Sequence, residues 1–78
     1  MQVYKVQIMV LGERDGETAE VWSDRGTIRG KSMPSMLRRA YYSMFTGNFD
    51  ARPQRGNVLY HPKYKDKPIL RLIESENQ

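Results

Sequence analysis

A chain of 78 residues makes one domain, near the size at which a single core only just outweighs chain entropy, and leaves little room for an enclosed active-site cavity. With no cysteine it has neither a disulfide framework nor a thiolate zinc site, which argues against a secreted mini-protein and fits a reducing compartment such as the cytoplasm. No apolar stretch is long enough for a signal-peptide core or a membrane span, so a soluble chain is expected.

The formal net charge of +4 is unevenly spread. Residues 1–24 carry Lys5 and Arg14 against Glu13, Asp15, Glu17, Glu20 and Asp24, a net −3, whereas residues 25–71 carry eleven Arg and Lys against Asp50 and Asp66, a net +9. Like charges gathered in this way argue for an anionic partner on one side of the fold, unless folding scatters the cations over several faces.

Tyr4, Val6, Ile8 and Val10 alternate with Val3, Lys5, Gln7 and Met9, the two-residue period of a strand with one apolar and one mixed face. Residues 12–17 are polar and contain Asp15-Gly16, which permits tight reversal, so a second antiparallel strand should begin near Thr18. That strand runs through Ala19, Val21 and Trp22. Its continuation past Gly26 to Thr27-Ile28-Arg29 requires either a bulge at the glycine or a separate short strand, which leaves the parity across Gly26 open.

Ser32 reads as a helix N-cap with Pro34 in the first turn, and Gly30 before it as a turn residue. Met36, Leu37, Ala40, Tyr41, Met44 and Phe45 form an apolar stripe at helical spacing, and Gly47 supplies the stop. Residues 48–57 read as an irregular, basic, exposed loop. Residues 58–61 and 69–73 look like two strands of a second hairpin joined through Pro62 to Pro68. The expectation is an α+β fold in the order β-β-α-β-β: an antiparallel sheet of about four strands with one helix on one face, residues 1–75 as a single domain and 76–78 as a frayed tail.

Gly26-Thr27-Ile28-Arg29-Gly30-Lys31-Ser32 ends like a phosphate-binding loop but has one residue too few between its glycines to wrap a phosphate. What survives is Arg29 and Lys31 beside a helix start that favours anions. The stronger candidate is the run in which Arg52, Arg55, Lys63, Lys65 and Lys67 interleave with Tyr60, His61 and Tyr64. Cations attract phosphates and aromatic faces stack on unpaired bases, although lysines on a hairpin equally guard an edge against aggregation.

Arg38, Arg39 and Tyr42 lie on the helix away from its stripe, where a partner would meet them or where they are simply solvated. Trp22 points outward as an interface anchor if Ala19 and Val21 mark the buried parity, and is core otherwise. The sole histidine, His61, has no sequence-adjacent carboxylate. No catalytic residue, metal site or cofactor site is expected, and no enzyme.

These features suggest a small non-enzymatic basic module engaging nucleic acid or a nucleoprotein through its central basic region. The rival is an inhibitor or adaptor of the kind a phage or mobile element encodes, docking on a host macromolecular complex through the first hairpin, Trp22 and the arginine-bearing helix. A homodimer would pair edge strands through residues 3–11 or 69–73.

Overall fold

A computed structural model describes residues 2–75. The elements are β1 (Gln2–Arg14), β2 (Glu17–Gly30), helix α1 (Met33–Met44), a 3-10 turn at Phe49–Ala51, β3 (Gln54–Arg55), β4 (Val58–Tyr60) and β5 (Pro68–Glu74). They form an α+β fold with one antiparallel five-stranded sheet in the order β2-β1-β5-β4-β3. The expected order holds with one strand added, because the loop over residues 48–57 is less irregular than its composition suggests. Gln54 and Arg55 pair with Leu59 and Val58, and Phe49 is buried. The expected fraying of residues 76–78 lies outside the described residues.

The first hairpin turns through Asp15 and Gly16, both at positive φ, the conformation that a two-residue reversal matching strand twist demands. The β1–β2 ladder then runs from Arg14 opposite Glu17 to Gln2 opposite Gly30. It breaks once. Lys5 faces Thr27 and Gln7 faces Asp24, so two residues of β2 oppose Val6 alone, and Gly26 there has φ 101°. The bulge shifts the parity: Ile28 and Val21, one even and one odd, share a side, and Trp22 takes the other.

Ser32 caps α1, its hydroxyl accepting from the Ser35 N–H at 3.4 Å, with Pro34 in the first turn. The buried helix stripe is Met36, Leu37, Ala40 and Tyr41, packed with Val6, Phe49, Leu59, Leu70 and Leu72 into one core. Burying each such Leu contributes about 1.5–3 kcal/mol. Gly30 is not the turn residue its sequence context implied. It is the last residue of β2, and a Cβ there would run into the Met36 side chain and Arg39, so it is required for the close approach of helix to strand. The helix ends at Met44 with Phe45 as its extended C-cap, before Gly47, whose positive φ turns the chain into the next loop.

Segments 3–11 and 69–73, expected as edges for dimerisation, largely belong to the inner strands. β1 lies between β2 and β5, and β5 between β1 and β4, so the outer strands are β2 and β3. Among the described residues, no helix is long and apolar enough to cross a membrane.

Candidate functional site

Because side chains alternate along a strand, one side of the sheet carries Tyr4, Val6, Ile8, Leu59, Leu70 and Leu72 against α1, and the intervening residues face away. No second helix lies over that other side among the described residues. The register lines up a row across all five strands there: Asp24 opposite Gln7, Gln7 opposite Arg71, Arg71 opposite Val58, and Val58 opposite Arg55.

The row is bonded. Arg71 Nε donates to Gln7 Oε1 at 2.8 Å, and Gln7 Nε2 donates to Asp24 Oδ1. The Arg71 guanidinium lies 4.1 Å from the centre of the Trp22 ring. At the other end of the row the Arg55 guanidinium lies 4.1 Å from the centre of the Tyr60 ring. Trp22 is therefore on the helix-free face, half-buried beneath an arginine, rather than in the core or free in solvent. Lys5 and Thr27, paired across β1 and β2, add exposed polar groups to the same face.

The connection from Tyr60 to Pro68 is drawn towards Arg55. Arg55 Nη2 donates to the Lys65 carbonyl at 3.0 Å and sits 3.8 Å from the Asp66 carboxylate. His61 Nδ1 accepts the backbone N–H groups of Lys63 at 3.0 Å and Tyr64 at 3.1 Å, so its role is to shape the turn. The Tyr64 ring, 58% exposed, packs beside His61 with the Lys63 ammonium 5.6 Å from its centre. Lys65 is exposed, and Lys67 forms an ion pair with Glu20 at 2.8 Å.

The remaining expected residues are elsewhere. Arg52 is half-buried, donating to the Tyr41 hydroxyl at 2.7 Å with its guanidinium 5.2 Å from that ring. It fastens the segment after α1 to the core and is not a surface cation. Arg38 pairs with Asp50 at 3.2 Å and leans on Tyr42 and Phe49. The Tyr42 hydroxyl accepts the Phe49 N–H at 3.0 Å, leaving the ring 47% exposed. Arg39 donates to the Arg29 carbonyl, which gathers Arg29, Lys31 and Arg39 where β2 meets the helix.

The structure thus brings Trp22, Arg55, Tyr60, Lys63, Tyr64 and Lys65 to the helix-free face and its rim. Arg38, Arg39 and Tyr42 lie on the helix layer, Arg29 and Lys31 at the end of β2, and Arg52 half-buried against Tyr41.

Sequence reasoning missed Gln7, Asp24 and Arg71 as members of the site. The available signal was Arg71 itself, a lone cation within the apolar run Ile69-Leu70-Arg71-Leu72-Ile73, where an alternating strand must turn it away from the core. Among the described residues, no group of three or more His, Asp or Glu side chains is placed to hold a metal. No protein-family model, curated protein or solved structure matches this chain.

Proposed function

We propose that this chain is a non-enzymatic, cytoplasmic binding module that takes single-stranded nucleic acid on the helix-free face of its sheet. The observation that supports it best is the pair of arginine–aromatic stacks there, Arg71 on Trp22 and Arg55 on Tyr60, each at 4.1 Å. A guanidinium lying over a ring can offer its outer face to a base, and the N–H groups not already donated to Gln7 or the Lys65 carbonyl to phosphate. Exposed Lys63, Lys65 and the half-free Tyr64 ring add charge and a further stacking surface at the rim. A base or ribose needs no enclosed pocket here, which suits a domain of this size.

The test is a titration of the full chain against labelled single-stranded RNA, single-stranded DNA and duplex DNA at low and near-physiological salt. Single strands should bind with micromolar or tighter affinity, with a salt slope reporting several phosphate contacts. Lys63→Glu with Lys65→Glu, which leaves the Lys67–Glu20 pair intact, should weaken binding at least about tenfold, as should Trp22→Ala with folding checked by circular dichroism. Binding that is indiscriminate and erased by physiological salt, or unaffected by both variants, rejects the reading. The second reading, a small inhibitor or adaptor docking on a protein, draws support from the acidic first hairpin with its 76% exposed Leu11.

A further inference from the structure

β1 pairs with β5 only over residues 4–8, yet its ladder with β2 continues to Arg14. The far end of the first hairpin therefore leaves the sheet as a two-stranded arm. Pro68 explains where β5 gives way, since it has no N–H to carry the ladder on. Beyond that point the outer edge of β1 presents every second N–H and C=O to solvent, and no lysine or proline of β1 guards it.

In the crotch where β5 stops, Met9, Val10, Leu11, Pro68 and Ile69 line an open, mainly apolar hollow of about 200 Å³, with the Lys67–Glu20 ion pair at its margin. That volume is below the roughly 300–1,000 Å³ of a typical small-molecule site but suits one or two side chains. Leu11 on its wall is 76% exposed. The arm is also acidic: Glu13 follows Leu11 on the same side of β1, with Asp15 and Glu17 at the turn and Arg14 alone opposing them. A second copy adding its own arm here would bring the same acids against these, so charge selects a different occupant.

We infer that the arm receives an extended segment of another protein by strand addition along residues 10–14, with an apolar side chain of the segment in the hollow and its Lys or Arg facing Glu13. Main-chain bonds supply affinity in such a contact, and the alternating pocket and charge supply selectivity.

The probe is a capped, labelled heptapeptide, Thr-Val-Thr-Lys-Thr-Lys-Thr, which sets Val and Lys two residues apart on one face as Leu11 and Glu13 are, titrated into the full chain by fluorescence anisotropy and by amide chemical-shift mapping. Binding should move the amides of residues 9–14, Lys67 and Ile69. The counterpart with Glu in place of Lys should bind at least about tenfold more weakly, as should the probe N-methylated at alternate amides in one of the two phases. Leu11→Arg, at a position too exposed to affect folding, should weaken the probe to a similar degree. The inference is overturned if the probe does not bind at about millimolar concentration, if both methylation phases bind like the parent, or if the shifts centre on the row Asp24, Gln7, Arg71, Val58 and Arg55 instead of on residues 9–14.

Discussion

The β1–β2 hairpin closes through two residues, Asp15 and Gly16, and its register is carried by main-chain pairing for almost its whole length. The β4–β5 hairpin closes through residues 61–67 and is fastened by side chains: Arg55 on the Lys65 carbonyl and Asp66, and His61 on two N–H groups. A regular ladder can continue past the core that supports it, and the first hairpin does, ending as an acidic arm. An irregular connection must draw on its own polar residues, so part of the basic, aromatic segment that looks free in sequence is engaged within the fold. Of the cations from Arg52 to Lys67, only Lys63 and Lys65 remain without an ion pair or hydrogen bond from the side chain among the described residues.

The largest effect that tests this contrast is in the apolar residues. Leu59, fully buried in the second hairpin, should cost about 2–5 kcal/mol when cut to Ala, whereas Leu11→Ala in the arm should stay within about 0.5 kcal/mol, both read from urea midpoints. Comparable losses at the two positions would mean that the arm is packed and the hairpins are alike.

Glycines give the next test. A Cβ on Gly12 would meet Val21 Cγ2 at 2.6 Å across the ladder, so Gly12→Ala should destabilise by about 1–3 kcal/mol unless the arm splays to admit it. Gly56, at φ 61° with nothing within 4 Å, should cost only about 1 kcal/mol, from backbone strain alone. Thermal melts with amide exchange along residues 9–22 distinguish a clash from a splayed arm.

The smallest effect joins the two hairpins. A double-mutant cycle on Lys67 and Glu20, both partly exposed, should return about 0.2–1 kcal/mol of coupling that shrinks as salt rises. No coupling at low salt would show that the arm is independent of the second hairpin.

Much of the fold was legible because it is local. Alternation from Tyr4 to Val10 specified β1, Asp15-Gly16 the turn, and Ser32, Pro34 and the stripe from Met36 to Tyr41 the helix and its buried side. β3 was not, since two residues are too few to show a period, and Phe49 looked like a loop residue because one aromatic among polar neighbours carries no periodic signal. Gly26 announced an irregularity but not its form, and the face taken by Trp22 followed from that form.

The sequence by itself determined the α+β class, the long hairpin, the helix and the opposed charges of its two halves, because each depends on residues a few positions apart. Only the tertiary structure decided that β5 lies between β1 and β4, that Arg71, Gln7 and Asp24 form one bonded row, and that Arg52 turns inward while Lys65 stays free. Those outcomes rest on contacts between residues far apart in the chain, such as the 64 positions separating Gln7 from Arg71. A local pattern carries no information about such partners until the strands have been set side by side.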